Sequence, residues 1–143
     1  MTSSGLFLDT NIISHFMRDA TGIAAMRVMT AQDTGRKVMT SIVVQCELEF
    51  GLSKRPSRRL ELAYAEVMQR IDVLALDSTV VAHYASIRNV LERQGTPIGP
   101  NDTLIAAHAL SVDAVLVTDN DDEFRRIPGL QIENWLRDAA ALS

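Results

Sequence analysis

Two short apolar segments that each end at an acidic residue constrain the fold of this chain most strongly. Leu6–Leu8 is followed by Asp9, and the run Ala-Val-Leu-Val-Thr at residues 114–118 is followed by Asp119. Because apolar side chains occupy consecutive positions, both segments are typical of strands buried on both faces of a parallel sheet. Similar short runs alternate with stretches of helical periodicity, so the pattern predicts an α/β domain with a mostly parallel sheet.

The predicted strands and helices follow one another without a long linker. Strands are expected at residues 6–8, 38–40, 71–76, 114–118 and 131–132. Helices are expected at residues 12–18, 23–29 and 41–52, from the basic segment 54–59 to residue 68, from residue 77 or 78 to 95, at 100–110, and briefly near residue 124. Ser41 is well placed as the N-cap of the third helix. With no internal repeat, residues 1–143 are predicted to form a single domain.

The composition supports a packed domain and indicates its compartment. The 143 residues are 47% hydrophobic and 22% charged, as in globular proteins and unlike disordered chains. The single cysteine, Cys46, excludes an internal disulfide and an all-cysteine zinc cluster, and it is expected in the core. The sequence contains no signal-peptide pattern and no stretch of the roughly 18 apolar residues that span a membrane. A cytoplasmic protein with no membrane contact is therefore expected.

The charge balance limits the ways in which this chain could act on nucleic acid. The net charge of −4, from 14 basic and 18 acidic residues, argues against a protein that coats nucleic acid by charge alone. It does not exclude a nucleic-acid enzyme, because acids that hold divalent cations present positive charge to a phosphate.

Asp9 and Asp119 follow two of the predicted strands. Ligands of open parallel sheets gather at the carboxyl ends of the strands, so both carboxylates are expected at one rim of the sheet. Thr10 and Asn11 are placed to orient Asp9 through hydrogen bonds. An alternative role for Asp9 is to cap the helix that follows it.

Glu47 falls on the apolar side of its predicted helix. At about 100° per residue, Glu47 lies roughly 40° from Val43. The same arc contains Cys46 and Phe50, which are expected to face the core, whereas Glu49 faces solvent. A carboxylate that faces the core is costly unless it is paired, protonated or bound to metal. The alternatives to a functional role are an internal salt bridge with an arginine and a raised pKa without function.

Asp102 repeats this pattern in the first turn of the helix at residues 100–110. Ile105, Ala106 and Ala109 share its face, which directs the carboxylate inward. The alternative is that an acid in this position only stabilises the helix dipole.

Three or four acids are thus expected at one rim, and their mutual repulsion calls for a counter-charge. Like charges at close range repel by several kcal/mol at an effective dielectric near 20, so some acids must protonate or a divalent cation must neutralise them. Oxygen ligands suit Mg²⁺ or Mn²⁺, which favours phosphate chemistry. His15, His83 and His108 lack metal-ligand spacing, and His108 is expected in a packing or surface position.

Four segments, in this order, carry a resemblance to a known family. They are LDTNIISHFMR, SIVVQCELEFGL, GTPIGPNDTLIAAHAL and LVTDNDDEFRRIPGLQIENW. These segments resemble the PIN-domain ribonucleases, and among them the VapC-type toxins of bacterial toxin–antitoxin pairs. The resemblance implies a PIN-like three-layer α/β/α sandwich that hydrolyses RNA with Mg²⁺ or Mn²⁺, at a defined site in tRNA or another structured RNA. It also implies a homodimer, neutralisation by a VapB-type antitoxin, and a larger assembly with that antitoxin.

The resemblance assigns roles to the acids. Asp9, Glu47 and Asp102 match the first three acids of the family. Asp9 and Asp102 match its usual principal metal ligands, and Glu47 would position or deprotonate the attacking water.

The fourth acidic position departs from the family pattern, because Asn120 stands there. Asp119, alone or with Glu123, could replace it on the leaving-group side. The expected catalytic residues are therefore Asp9, Glu47, Asp102 and Asp119, with the identity of the fourth acid and the number of metal ions left open.

A basic segment follows the helix that carries Glu47. It comprises Lys54, Arg55, Arg58 and Arg59. These side chains could contact the RNA backbone, remain solvated while complementing the helix dipole, or meet the acidic tail of an antitoxin.

Two other functions remain open. A phosphoaspartate phosphatase or receiver-like domain also places an Asp after its first parallel strand, although Asn11 stands where the phosphatase needs its second Asp. A catalytically decayed PIN-like RNA-binding module would be compatible with Asn120. Metal-dependent ribonuclease activity distinguishes both from the first hypothesis.

Overall fold

The computed structural model describes residues 4–137, so both ends of the predicted domain, residues 1–3 and 138–143, lie outside it. The strands are β1 (Leu6–Leu8), β2 (Val38–Ser41), β3 (Asp72–Leu74), β4 (Val115–Val117) and β5 (Ile132–Glu133). The helices are α1 (Thr10–Arg18), α2 (Ile23–Asp33), α3 (Ile42–Lys54), α4 (Arg58–Arg70), α5 (Thr79–Arg93), α6 (Pro100–Ser111) and α7 (Asp121–Phe124). None of these helices is both long and apolar enough to cross a membrane.

The five strands form one parallel sheet in the order β3-β2-β1-β4-β5. The chain moves outward from β1 to β3 and then crosses back to place β4 on the other side of β1. Right-handed crossovers put α1 to α4 on one face and α5 and α6 on the other. The contacts agree, because α1 packs on α2, α3 and α4 while α5 packs along α6. The three-layer α/β/α prediction is confirmed.

The central strands β1 and β4 form the middle of the core. Every residue of both strands is buried, as the consecutive apolar side chains predict for strands covered on both faces. Leu8 is aligned with Val117, so Asp9 and Thr118 leave the sheet side by side. The backbone N–H of Asp9 donates to the carbonyl of Val117 at 3.1 Å, which fixes this alignment.

The prediction for α3 is correct in position but wrong in which side chains reach the core. Ser41 caps the helix by accepting a hydrogen bond from the backbone N–H of Val43 at 3.1 Å. Cys46 is exposed and Phe50 is 65% exposed. The buried residues are Val43, Val44 and Leu48. Apolar side chains occur around most of this helix, so periodicity could not select the buried face.

Several element boundaries also differ from the predictions. Helix α1 begins at Thr10 rather than at residue 12, because the Asp9 side chain caps it. Helix α2 continues to Asp33, and β3 is shorter than the predicted strand at 71–76. The last strand, Ile132–Glu133, is displaced by one residue from the prediction.

Candidate active site

The candidate site lies where the direction of the chain across the sheet reverses, between the carboxyl ends of β1 and β4. Parallel sheets form a crevice at such a point, because the connections leaving the two strands go to opposite faces. Asp9 follows β1 and Asp119 lies two residues beyond β4, so the topology brings them to this crevice. Glu47 is supplied by α3, and Asp102 by the first turn of α6.

Asp9 is the most buried acid of the site, with 6% of its surface exposed. One carboxylate oxygen accepts the backbone N–H of Ile12 at 3.2 Å, so the capping role foreseen as an alternative is present. Burial raises the pKa of Asp9 to about 7, although hydrogen bonds from Thr118 and Ile12 lower it. The charges of Asp119 and Asp102 raise it further, which places both carboxylates within electrostatic reach of Asp9.

Glu47 is half-buried, and a hydroxyl group holds it rather than an arginine. The side chain of Thr10 donates a hydrogen bond of 2.6 Å to its Oε1 atom. None of the salt bridges within residues 4–137 includes Glu47. The internal salt bridge considered from the sequence is therefore absent from that part of the chain. The bond to Thr10 ties α3 to the residue that directly follows Asp9.

Asp102 is half-buried beside two further acids. Burial raises its pKa, and the negative charges of Glu123 and Glu47 raise it further. The residues predicted to share its face, Ile105, Ala106 and Ala109, are all buried. The inward orientation inferred from the helical pattern thus agrees with the electrostatics of the side chain.

Asp119 and Glu123 lie near the position where Asn120 replaces an acid. Asp119 is exposed, and its Oδ1 accepts a hydrogen bond from the Asn11 amide at 3.0 Å. The Asn120 amide in turn donates to Glu123 Oε2 at 2.8 Å. Asp119 acts electrostatically on Asp9, and Glu123 acts on Asp102. Both candidates for the fourth position therefore contribute negative charge to the site.

Asp121, in the same acidic run, has a different role that sequence analysis did not identify. Its Oδ2 atom accepts from Arg125 at 2.9 Å and from Arg137 at 2.7 Å, and its Oδ1 accepts from Asn134 at 3.0 Å. Desolvation alone would raise its pKa, but Asn134 and the two arginine charges lower it. Asp121 therefore joins α7 to residues 134–137 and is already neutralised. These three partners distinguish it from its acidic neighbours.

His108 links the two helices that carry Glu47 and Asp102. Its buried ring shares a hydrogen bond of 2.8 Å between Nδ1 and the Ser41 hydroxyl, and it meets the Phe7 ring edge-on. Burial lowers the pKa of His108, which favours the neutral ring. His108 therefore has a packing role.

The acids of the site gather negative charge that no salt bridge among the described residues neutralises. No salt bridge within residues 4–137 includes Asp9, Glu47, Asp102 or Asp119. Over the same residues, no three His, Cys, Asp or Glu side chains are grouped closely enough to hold one ion together. The arrangement suits a hard cation that takes one or two carboxylates and completes its coordination with water, as Mg²⁺ commonly does.

A cavity of about 440 Å³ leads away from the acids between α1 and the end of α3. Glu47 and Thr10 line the end of the cavity that is nearest to the acids. Arg18, Lys54 and Arg55 also line it. We call it the basic cavity. Arg58 and Arg59, the other half of the predicted basic segment, lie at the start of α4 and do not border it, although the neighbouring Leu60 does.

Comparisons with known proteins identify the family of this chain. The PIN domain family matches residues 6–130. The chain is 39% identical to Ribonuclease VapC1 of Haemophilus influenzae (strain R2866), over 91% of this chain and 97% of the relative. It is 37% identical to the tRNA(fMet)-specific endonuclease VapC of Shigella flexneri, over 90% and 96% of the two chains.

A solved structure extends the comparison to three dimensions. The crystal structure of VapBC2 from Rickettsia felis, bound to a DNA fragment from their promoter, superposes with a TM-score of 0.85 at 30% identity. The match covers 91% of this chain and 98% of the other. Because the family match and these relatives span nearly the whole domain, the chain belongs to the PIN-domain family and, within it, to the VapC ribonucleases.

Proposed function

We propose that this protein is an endoribonuclease toxin that depends on a divalent metal ion, Mg²⁺ or Mn²⁺. The observation that carries the metal requirement is the raised pKa of Asp9, which results from burial and from the charges of Asp119 and Asp102. A carboxyl group that is buried beside other acids tends to keep its proton. A metal ion that binds to it must displace that proton. The oxygen-only donor set selects a hard cation.

Asp9 and Asp102 are the proposed metal ligands, because they are the two acids whose pKa values the surroundings raise. When bound, a divalent ion supplies positive charge to the phosphate and lowers the pKa of water. The protein positions the two carboxylates from separate elements, β1 and α6. The backbone N–H of Ile12 donates a hydrogen bond to the Asp9 carboxylate and orients it.

Glu47 is the proposed base for in-line attack on the phosphodiester. The Thr10 hydroxyl occupies Oε1 of Glu47, which fixes the carboxylate and leaves Oε2 to orient the attacking water and accept its proton. Asp119, held by Asn11, follows β4, whereas Glu47 lies on the helix after β2, on the other side of β1 in the sheet. Asp119 is therefore placed to support the leaving-group side. No nucleophile from the protein is required.

Structured RNA is the proposed substrate. The Shigella flexneri relative is named as specific for tRNA(fMet), and we extend to this chain the coarser class, tRNA or another structured RNA cut at one defined site. The basic cavity offers Arg18, Lys54 and Arg55 to the phosphate backbone beside the acids.

A VapB-type antitoxin is the proposed protein partner. The structural neighbours from Rickettsia felis and Salmonella typhimurium are VapBC assemblies bound to DNA. By analogy, this chain forms a homodimer that a VapB-type antitoxin neutralises within a larger assembly. The residues 1–143 would act in it as one domain.

Induced expression tests the proposed function directly. Wild-type protein is expected to arrest growth and to generate one discrete new 5′ end in total RNA, whereas Asp9→Ala protein should generate none. Purified wild type should cleave that RNA with Mg²⁺ and not in EDTA. No cleavage by wild type would favour the decayed RNA-binding module, whereas equal cleavage by Asp9→Ala protein would reject the assignment of Asp9 to the active site.

Replacing Glu47 by Gln should separate the base from the metal ligands. The variant keeps the acceptor for Thr10 but cannot take a proton, so kcat should fall by about 10²- to 10⁴-fold. The Mn²⁺ affinity, measured by calorimetry, should change less than threefold. A large loss of Mn²⁺ affinity would instead identify Glu47 as a ligand.

The two halves of the basic segment provide a matched pair of variants. Lys54→Ala/Arg55→Ala protein, altered in the basic cavity, should raise KM for RNA about tenfold at low salt, because two phosphate contacts are lost. Arg58→Ala/Arg59→Ala protein removes the same charge outside the cavity and should leave KM within twofold of wild type. Equal effects would show that only net charge matters.

A further inference from the structure

A second cavity opens beside α1, next to the acids but distinct from the basic cavity. Its volume is about 340 Å³, and Asn11, Ser14, His15, Arg18, Asp119 and Leu136 line it. We call it the α1 cavity. The basic cavity reaches the site at Thr10 and Glu47, whereas the α1 cavity reaches it at Asn11 and Asp119.

Two residues of α1, Ser14 and Arg18, border both cavities. Residues four apart lie above one another on a helix, so they form a single ridge on α1. Thr10 lies four residues before Ser14, so the same face of α1 runs from Thr10 to Arg18 at the end of the helix. Arg18 therefore stands where one cavity passes into the other.

Arg18 is exposed and is not engaged by an acid. It forms no salt bridge with any carboxylate of residues 4–137. Its place in the last turn of α1 complements the helix dipole, which accounts for a basic residue there. The dipole does not account for its contact with two cavities that both end at the acids.

We propose that Arg18 is a substrate-positioning residue, which holds a phosphate of the RNA strand where the strand crosses α1, and that the α1 cavity receives one nucleotide. The proposal rests on the proposed ribonuclease function. A guanidinium group binds phosphate through two parallel hydrogen bonds, which fixes orientation as well as position. A strand with its scissile bond at Asp9 and Asp102 then has neighbouring nucleotides on both sides of the ridge.

The lining of the α1 cavity fits the sugar and base rather than a second phosphate. Asp119 would repel a phosphate placed at the inner end. Ser14 and Asn11 offer a hydroxyl and an amide, and His15 adds an imidazole. Within residues 4–137, the enclosed Nδ1 atom of His15 has no hydrogen-bond partner. Packing therefore holds this ring.

The test compares Arg18→Ala and Arg18→Lys with Arg93→Ala, because Arg93 occupies the same place in the last turn of α5. Binding of a fluorescent single-stranded RNA is measured in EDTA at several salt concentrations, and KM and kcat in Mg²⁺. Arg18→Ala should weaken RNA binding and raise KM about tenfold with kcat within twofold, and should reduce the salt slope by about 0.7. Arg18→Lys should restore the salt slope but only part of the affinity, because an ammonium group cannot form the two parallel hydrogen bonds. Arg93→Ala should match wild type.

Two shortened RNAs, each truncated on one side of the cleaved bond, test whether the RNA strand crosses α1 at Arg18. The effect of Arg18→Ala should persist on both shortened RNAs, whereas that of Lys54→Ala should disappear on one. The proposal is overturned if Arg18→Ala behaves as Arg93→Ala, or if it weakens only the binding of an acidic peptide or a VapB-type antitoxin. Failure of wild type to bind or cleave RNA would instead refute the proposed function.

Discussion

Asp9→Asn protein, free of metal, is expected to be more stable than wild type at pH 8 while losing RNA cleavage by roughly 10³-fold or more, as when one charge-stabilising group is removed from an active site. Burial raises the pKa of Asp9 from 3.8 to about 7, so the folded protein retains a proton that the unfolded chain releases. The contribution of this group therefore disfavours folding increasingly as pH rises from about 4 to 7. The full effect is on the order of 4 kcal/mol.

Chemical denaturation at several pH values in EDTA measures this effect. The difference between wild type and Asp9→Asn should be small near pH 4 and should level off above pH 7, with the variant more stable. Asn keeps the acceptor for the Ile12 N–H, so the cap survives. Asp33→Asn, at an exposed position, is the control and should show no such trend. A variant that is less stable than wild type at pH 8 would refute the claim that burial raises the pKa of Asp9.

The affinity for Mn²⁺ should depend steeply on pH. Because the ion must displace the proton of Asp9, the half-saturating Mn²⁺ concentration should rise about tenfold for each pH unit below 7 and stay level above it. The raised pKa of Asp102 should steepen the dependence at the acidic end. Activity should vanish in EDTA at every pH.

Calorimetric titration with Mn²⁺ between pH 5.5 and 8 provides the measurement, with proton release followed in buffers of different ionisation enthalpy. About one proton should be released per ion near pH 6, and almost none at pH 8. Affinity that is independent of pH would mean that the ion binds elsewhere. Asp102→Asn serves as the matched variant, because it removes the other proposed ligand and leaves Asp9 in place.

The fold could be predicted from the sequence because its central strands are short and uniformly apolar. Leu6–Leu8 and Val115–Val117 admit few interpretations other than strands covered on both faces. The strand order was not predicted from the sequence. Pairing of β4 with β1 joins residues more than a hundred positions apart, and no local pattern records it.

The site was predictable where a polar side chain contradicted its apolar surroundings. Glu47 lies between Val43 and Val44 on the helical wheel, so its inward direction held although Cys46 and Phe50 proved exposed. In the acidic run after β4, the sequence could not distinguish an acid of the site from an acid that has a structural role. Asp119 and Asp121 look equivalent in sequence. Only the folded structure shows that two arginines and one asparagine bond Asp121, which is therefore already neutralised.

The central claim is that Asp9 and Asp102 hold a hard divalent ion at the crevice between β1 and β4. Anomalous diffraction from crystals grown with Mn²⁺ at pH 8 tests it most directly. The account predicts one strong anomalous peak that contacts both carboxylates, and its loss in Asp102→Asn crystals. A peak bound only by other residues, or both carboxylates turned away from a fully occupied ion, would contradict it.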